Sequence, residues 1–144
     1  MESTLYPHQQ RAYDLLRAGK NVILQAPTGS GKTRAAIYPF LKMAEFPKVG
    51  FPLKCIYTVP MRVLANQFVT EYRDVVKKYN LIQGQNLKVS IQTGENTGDP
   101  FYESDLIFTT IDQALSRFLN YPYGVSKRKA NLNAAAVMGS YLVF

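Results

Sequence analysis

Residues 21–33 read NVILQAPTGSGKT, and this stretch decides the fold that the sequence predicts. Its first six residues form a nearly continuous apolar run, which is typical of a strand buried on both faces. From Lys32 onward apolar residues recur at helical spacing, which predicts a helix that Pro39 kinks or shortens. A strand that leads through a glycine-rich loop into a helix is a repeating unit of α/β folds.

The loop at residues 26–33 fits the pattern A-x-x-x-x-G-K-T of a phosphate-binding loop. Gly29 and Gly31 allow the backbone to close around phosphate oxygens, and the start of the helix adds the positive end of its dipole. Lys32 is predicted to reach the β- and γ-phosphates as the catalytic contact, and the Thr33 hydroxyl to bind Mg²⁺. The nucleotide-binding residues predicted in this loop are Thr28, Gly29, Ser30, Gly31, Lys32 and Thr33. An ordinary glycine-rich turn is the alternative.

Helical and strand patterns alternate along the rest of the chain. Helices are predicted at residues 7–18, 64–79 and 112–119, strands at 54–59, 87–91, 105–110 and 141–144, and a polar, basic connection at 121–136. Parallel strands need a crossover, which is usually a helix, so the alternation predicts an α/β fold with a mostly parallel, doubly wound sheet and helices on both faces. The strand at 87–91 alternates apolar and polar residues, which predicts a position near a sheet edge with one wet face.

Composition indicates the class of protein. The chain has 144 residues, 47% of them hydrophobic and 19% charged, which predicts one ordinary globular domain and excludes disorder. The formal net charge of +7 favours an anionic partner such as nucleic acid or nucleotide. The single cysteine, Cys55, excludes an internal disulfide and a multi-cysteine metal site, and it fits a reducing, cytoplasmic setting. No apolar run approaches the ~20 residues of a membrane span, so we expect no membrane partner.

The phosphate loop also carries a family resemblance, because Ala26 stands where many such loops have glycine. In this respect the loop resembles motif I of superfamily 2 helicases, which have a RecA-like fold. Residues 5–9, LYPHQ, are similar to the Q motif of that superfamily. The resemblance implies that Gln9 reads adenine through its carboxamide, which both donates and accepts, and that Tyr6 lies against the base. We expect His8 to be structural, and a solvent-facing Gln9 and a core Tyr6 are the plainer alternatives.

Three loops that follow predicted strands are candidates for nucleic-acid binding. Residues 58–67, TVPMRVLANQ, resemble motif Ia of the superfamily, while residues 92–94 and 109–110 look like motifs Ib and Ic. Independently of the resemblance, a helix that begins after Pro60 offers free N–H groups and a basic first turn to a phosphate. The predicted nucleic-acid contacts are Arg62, Thr93, Gly94 and Thr110, together with a basic run that could track a single strand, Lys127, Arg128 and Lys129. Plain surface charge, ordinary turn chemistry and a solvated basic loop are the alternatives.

The second half of the chain carries a narrower resemblance. Residues 110–119, TIDQALSRFL, residues 123–126, YGVS, and residues 131–144 are similar to the helicase of type I CRISPR systems, which drives degradation of the targeted DNA. This resemblance implies ATP and Mg²⁺ as cofactors, single-stranded DNA as the substrate, and a prokaryotic cytoplasmic location. It also implies a CRISPR surveillance complex as a partner. Many members of that branch carry an HD nuclease before the helicase, and because Gln9 lies so near the start we expect a separate HD nuclease or a helicase without one, a trimmed chain being the alternative.

None of the predicted strands ends in the carboxylate that orders Mg²⁺ and the attacking water during hydrolysis. In the superfamily the Asp-Glu-x-His box of motif II would come directly after Phe144. We therefore expect residues 1–144 to be the amino-terminal part of a first RecA-like domain, which by itself binds nucleotide weakly at most and has no turnover. An RNA helicase of the same superfamily, a non-catalytic nucleic-acid-binding or docking module, and a small P-loop kinase are the competing interpretations.

Overall fold

The computed structural model describes residues 4–119 and 130–144, and the chain divides into two compact units, Met1–Leu53 and Lys54–Phe144. The first unit contains the helices α1 (Pro7–Arg17) and α2 (Lys32–Glu45). The elements of the second unit are β1 (Cys55–Val59), α3 (Arg62–Gln83), β2 (Val89–Gln92), β3 (Leu106–Thr110), α4 (Ile111–Phe118), α5 (Ala130–Met138) and β4 (Tyr141–Val143). None of the described helices is long and apolar enough to cross a membrane.

Helices α1 and α2 pack against each other in the first unit. Pro7 stands at the first position of α1, where its missing N–H has no intrahelical partner to lose and its fixed φ suits the helix. The apolar stripe of α2 is buried, as Ile37 and Phe40 show. Pro39 lies inside α2, which continues past it to Glu45, so the predicted shortening at this proline does not occur.

The strand predicted at residues 21–26 is not formed in the structure, and this prediction is wrong. Exposure alternates along the segment, with Ile23 fully exposed and Val22 and Leu24 half-buried. A strand buried on both faces needs hydrogen-bonded neighbours. The described residues of the first unit contain no strand with which residues 21–26 could pair. The glycine-rich loop therefore follows an unpaired apolar segment.

The second unit is built on a four-stranded parallel sheet in the order β2-β3-β1-β4. In its register Tyr57 of β1 lies opposite Phe108 of β3, and Ile56 of β1 lies opposite Leu142 of β4. Parallel pairing requires a crossover of about a dozen residues or more, which α3 helps to supply between β1 and its neighbour β3. Between β2 and β3 the crossover is an irregular segment, residues 93–105. The predicted parallel α/β sheet is confirmed.

Helices cover both faces of this sheet, because successive residues of a strand point to opposite faces. On one face Tyr57 and Phe108 pack against Phe68 and Tyr72 of α3, with ring centroids 5.6–6.0 Å apart. Aromatic pairs of this kind contribute roughly 0.5–1.5 kcal/mol each beyond the area that they bury. The cluster on the other face, which includes α5, consists of Ile56, Tyr102, Ile107 and Val137.

Strand β2 lies at the edge of the sheet, as its alternating pattern predicts. The predicted wet face is found only at Lys88, which is exposed just before β2; Ser90 is buried, and its Oγ donates a hydrogen bond of 2.8 Å to Asp99 Oδ2. Asp99 is itself only 5% exposed. The crossover between β2 and β3 therefore covers the face of β2 that the sequence pattern assigns to solvent.

The connection predicted at residues 121–136 contains the start of helix α5 at Ala130. The signal that could have revealed the helix is the run of three alanines at 134–136, since alanine has the highest helix propensity. The basic residues that precede it make the whole segment look like a polar connection. Residues 120–129 themselves lie outside the described residues.

Cys55 offers a direct test of the sheet core. Its side chain is fully buried in β1 between two neighbouring strands, and burial raises the pKa of its thiol, so the reactive thiolate is scarce. We expect a thiol reagent such as DTNB to leave Cys55 unlabelled in mildly alkaline native buffer and to label one thiol per chain in denaturant. Labelling as fast in native buffer as in denaturant would contradict the buried position of β1.

Candidate nucleotide and nucleic-acid sites

The glycines of the phosphate loop hold backbone conformations that other residues rarely adopt. Gly31 is the N-cap of α2 with a φ of 79°, and Gly29 has the same φ. The positive φ is what requires glycine at Gly31, and a Cβ there would also displace Gln9 Nε2, the end of a flexible side chain. The loop leads directly into a helix N-terminus, where free N–H groups and the helix dipole favour an anion.

Lys32 reaches back across this loop from the first position of α2. Its Nζ donates hydrogen bonds to the carbonyl oxygens of Ala26 (2.7 Å) and Pro27 (2.9 Å), and the residue is exposed. Both acceptors are neutral, and a charged phosphate oxygen forms a stronger hydrogen bond with an ammonium group than a carbonyl does. The two carbonyl groups hold the ammonium group over the loop, and a phosphate oxygen bound there can replace them as its hydrogen-bond acceptor.

Ser30 tests whether the loop fits a phosphate. Its Oγ is buried and has no hydrogen-bond partner within residues 4–119 and 130–144, which is costly for a hydroxyl. A Cβ built at Gly29 would meet nothing within 4 Å, so the loop is open beside it. Thr28 is exposed, and Thr33 is half-buried in the first turn of α2. An unsatisfied donor beside an open glycine loop and a helix N-terminus fits a phosphate group.

Fewer residues are available to bind a metal ion than to bind a phosphate. No group of three or more His, Cys, Asp or Glu side chains in the described parts of the chain could hold a metal. The described strands end in Val59, Gln92, Thr110 and Val143, none of which is a carboxylate. Mg²⁺ would therefore be held by Thr33 and by the phosphates of a nucleotide, as Mg²⁺ commonly is. Hydrolysis needs an acid that these strand ends do not supply.

The residues of the predicted Q motif are tied to the phosphate loop within the first unit. Gln9 is 1% exposed; its Nε2 donates to Gly31 O and its Oε1 accepts from Tyr6 N, both at 3.0 Å. His8 Nε2 lies 2.9 Å from Ser30 O and is the donor, because a carbonyl only accepts. A solvent-facing Gln9 is therefore wrong, and so is a core Tyr6, which is 58% exposed and stacks on His8. Adenine recognition by Gln9 stays a prediction.

The carboxyl ends of β1, β2 and β3 share one edge of the sheet in the second unit, because these strands are parallel. Arg62 is the first residue of α3, just beyond this end of β1, and its side chain is 54% exposed. The N-cap residue, Met61, makes no side-chain cap hydrogen bond, which leaves the first N–H groups of α3 for an anion. The guanidinium is engaged by Glu95, with Nη1 and Oε1 2.5 Å apart.

The loop after β2 is fixed by hydrogen bonds on both sides. Thr93 N donates to Asn96 O at 2.8 Å, Asn96 N donates to Thr93 Oγ1 at 3.1 Å, and Gln92 pairs with Thr97 in an isolated antiparallel bridge. Thr93 is only 1% exposed. The Thr93 hydroxyl accepts a hydrogen bond within the loop, and contact of Thr93 with nucleic acid stays a prediction. Gly94 lies at the exposed tip.

Sequence reasoning missed two residues beside Arg62, namely Glu95 and Gln113. A Cβ built at Gly94 would lie 3.5 Å from Arg62 Nη2 and 3.9 Å from Gln113 Nε2, so the guanidinium and the amide flank this glycine. Gln113 is 7% exposed in the first turn of α4, after Thr110, which is the N-cap of that helix. Both missed residues come just after a strand end, and this position is the signal that could have found them.

The predicted nucleic-acid contacts are therefore divided. The structure brings Arg62, Thr93, Gly94 and Thr110 to one edge, where Thr93 and Thr110 are both buried. The predicted basic run, Lys127, Arg128 and Lys129, lies outside the described residues. A guanidinium, a buried amide and two helix N-termini can hold backbone phosphates without reading the identity of the bases.

Comparisons with known proteins place the chain among helicases. A family profile described as DEAD/DEAH box helicase matches residues 6–141. The chain is 34% identical over 122 residues to the ATP-dependent DNA helicase Hel308 of Thermoplasma volcanium, covering 83% of this chain and 16% of that protein. It is 39% identical over 79 residues to the U5 small nuclear ribonucleoprotein 200 kDa helicase of Homo sapiens, covering 55% of this chain and 3% of that protein. The chain thus spans a small part of these relatives.

A solved structure is similar in fold. The crystal structure of the DUF1998 helicase MrfA bound to DNA and AMPPNP aligns with a TM-score of 0.69 at 18% sequence identity. The alignment covers 92% of this chain and 17% of that chain. At this identity the likeness concerns the fold alone, and it confirms the predicted α/β architecture as one that a helicase contains.

Proposed function

Because this chain belongs to the DEAD/DEAH box helicase family, we propose that it is the amino-terminal, ATP-binding part of the first RecA-like domain of an ATP-dependent single-stranded DNA helicase or translocase. The observation that carries the proposal is the phosphate loop, in which Gly31 caps α2 and two carbonyls hold Lys32 over the loop. The whole protein couples ATP hydrolysis to movement along a strand. Residues 1–144 alone bind nucleotide without turning it over, since no described strand ends in the acid that hydrolysis requires.

In this proposal the phosphates of ATP lie on the loop before α2. Lys32 places its charge on the β- and γ-phosphates, Thr33 holds Mg²⁺, and the buried Ser30 hydroxyl gains a phosphate acceptor. Mg²⁺ supplies charge neutralisation on the phosphates when it is bound. The residues assigned to ATP are Gln9, Thr28, Gly29, Ser30, Gly31, Lys32 and Thr33.

The nucleic-acid backbone is proposed to bind at the sheet edge that carries Arg62. Gly94 and Thr110 border the strand there, and the run at 127–129 extends the basic surface. DNA is supported by two named relatives, Hel308, which is called a DNA helicase, and MrfA, whose structure holds DNA. RNA is the alternative, because a helicase of the U5 small nuclear ribonucleoprotein is also similar and phosphate contacts discriminate poorly between the two.

Unwinding by the full-length protein decides between these substrates. With ATP and Mg²⁺, we expect it to separate a DNA duplex that has a single-stranded tail faster than the RNA duplex of the same sequence. Matched tails and matched salt keep the backbone electrostatics comparable. Unwinding confined to RNA would overturn the DNA assignment and favour the RNA helicase.

We further propose a narrower assignment, that this helicase acts in type I CRISPR interference in the cytoplasm of a prokaryote. The support is the resemblance of residues 110–119 to the helicase of type I CRISPR systems. This stretch contains α4, and its buried Gln113 lies at the sheet edge that carries Arg62. Its partners are then a surveillance complex and an HD nuclease. Degradation of a targeted plasmid that requires the helicase, the complex and the nuclease together is the expected result, and degradation that is independent of the helicase contradicts the assignment.

Arg62 provides a mutational test of the nucleic-acid edge. Arg62→Gln should weaken binding of labelled oligothymidylate by about fivefold, roughly equally for all sequences, because one phosphate contact is lost and no base is read. Arg73→Gln is the matched control, since Arg73 is also exposed on α3 but lies about three turns further along the helix. Fluorescence anisotropy measures both. Equal effects of the two substitutions would indicate that only net charge matters.

A further inference from the structure

The ion pair at the sheet edge has a feature that phosphate binding alone does not explain. Arg62 Nη1 and Glu95 Oε1 form an ion pair, although both side chains are largely exposed, at 54% and 72%. Exposed ion pairs contribute little to stability, about 0.2–1 kcal/mol. The pair is therefore a weak support for the fold, and a guanidinium expected to bind phosphate already has an anion on it.

The loop that carries Glu95 presents this carboxylate in a defined place. Two hydrogen bonds between Thr93 and Asn96 close the loop on either side of its tip. The bridge between Gln92 and Thr97 closes it again, one residue farther from the tip. Thr93 is buried, so the base of the loop is fixed against the sheet. The carboxylate offers the guanidinium two planar oxygens, as a phosphate does.

We propose that Glu95 is a built-in competitor for the nucleic-acid phosphate at Arg62, and that it sets the affinity and the salt dependence of strand binding. The inference rests on the proposed role of Arg62 as a phosphate contact. A strand binds by exchange, in which the phosphate takes the guanidinium and the carboxylate is released to solvent. The released carboxylate regains a cation, which offsets the counterion that leaves the strand. Strand binding is consequently weaker and less sensitive to salt than the charge of the edge alone predicts.

Substitution of Glu95 should raise the affinity for nucleic acid, whereas loss of a binding contact lowers it. In the full-length protein, Glu95→Gln should bind labelled oligothymidylate more tightly by up to about fivefold, the upper limit that corresponds to an exposed ion pair. The slope of log K against log salt, measured from about 50 to 200 mM, should become steeper by about 0.7. Glu95→Asp, which retracts the carboxylate by one methylene group, should fall between the two proteins.

Two controls separate this effect from a change in net charge. Glu103→Gln makes the same charge change at an exposed residue that precedes β3, and hence lies toward the opposite edge of the sheet. It should leave both affinity and slope close to those of the unsubstituted protein. In an Arg62→Gln background Glu95→Gln should have no further effect, because the guanidinium for which it competes is gone.

The outcomes distinguish this inference from the function on which it rests. If Arg62→Gln does not weaken binding, the phosphate contact and the competitor both fail. If Arg62→Gln weakens binding while Glu95→Gln matches Glu103→Gln, or weakens binding as well, the competitor alone is overturned. Thermal unfolding followed by circular dichroism confirms that each variant is folded, and Glu95→Asp carries the same test if Glu95→Gln is not.

Discussion

Replacing Lys32 with alanine should lower ATP turnover by the full-length protein by at least about 100-fold, because loss of one preorganised group aimed at developing charge typically costs a factor of 10²–10³. Lys32 Nζ is the positive group that the structure holds over the phosphate loop, through the carbonyls of Ala26 and Pro27. Affinity of the chain for a fluorescent ATP analogue should also fall, by about tenfold, since an ammonium–phosphate contact is charge-assisted. A coupled phosphate-release assay and fluorescence titration measure the two effects.

The control for this prediction lies in the same unit. Lys20→Ala removes an equal charge from an exposed position outside the loop and should leave both quantities unchanged. Lys32→Arg tests shape, because the planar guanidinium does not reproduce the compact ammonium group and should recover little of the turnover. Turnover by Lys32→Ala equal to that by Lys20→Ala would contradict the assignment of the loop to ATP.

The parts of the fold that follow from local pattern could be predicted from the sequence. The apolar run before Pro60 and the long helical stripe after it predict β1 and α3, and both form. The phosphate loop could be predicted as well, because its glycines answer a local demand for positive φ. In each case the residues that decide the structure are neighbours in the chain.

Structure that depends on distant partners could not be predicted in this way. The run at 21–26 has the composition of a buried strand, yet pairing requires a neighbouring strand that no local pattern specifies. The ion pair of Arg62 with Glu95 depends on which loops meet at the sheet edge, and hence on the order β2-β3-β1-β4. The loop after β2 looks solvated in the sequence because it is rich in glycine and polar residues. The structure shows that Asp99 in this loop is buried and hydrogen-bonded.

Replacing Asp99 with asparagine should destabilise the second unit by about 1–3 kcal/mol, the cost of leaving buried hydrogen-bond donors unsatisfied. Asp99 is 5% exposed, and its carboxylate accepts hydrogen bonds from Ser90 Oγ (2.8 Å), Glu103 N (2.8 Å) and Ser104 N (2.9 Å). An asparagine would turn an NH₂ group toward some of these donors and leave them unsatisfied. Urea unfolding followed by circular dichroism measures the loss.

A buried arginine strengthens this expectation. Arg117 is 0% exposed, its Cζ lies 4.8 Å from the centroid of the Tyr102 ring, and its Nη1 donates to Pro100 O at 2.5 Å. Burial lowers the pKa of the Arg117 guanidinium, while the nearby Tyr102 and Asp99 act to raise it. Removing the charge of Asp99 therefore leaves a buried cation with less compensation, which adds to the loss of hydrogen bonds.

The same carboxylate should make the stability of the fold depend on pH in the acidic range. Burial alone would raise the pKa of Asp99, but hydrogen bonds from Glu103, Ser104 and Ser90 outweigh it and lower the pKa below its ordinary value. A group whose folded pKa is lowered contributes stability above its unfolded pKa of about 3.9 and loses it as pH falls through the folded value. The urea concentration at the unfolding midpoint should therefore decrease when the pH is lowered below about 4. Asp99→Asn should make this decrease smaller.

The control is Asp74→Asn, the same chemical change at an exposed position of α3. It should alter stability by less than about 0.5 kcal/mol, as surface substitutions usually do, and it should leave the acid dependence of the midpoint in place. Asp99→Asn has to differ from it in both respects, because the network predicts a loss at neutral pH and a flatter response to acid. If the two variants unfold at the same urea concentration, the carboxylate does not hold the crossover between β2 and β3, and the nucleic-acid edge that this crossover shapes loses its structural basis.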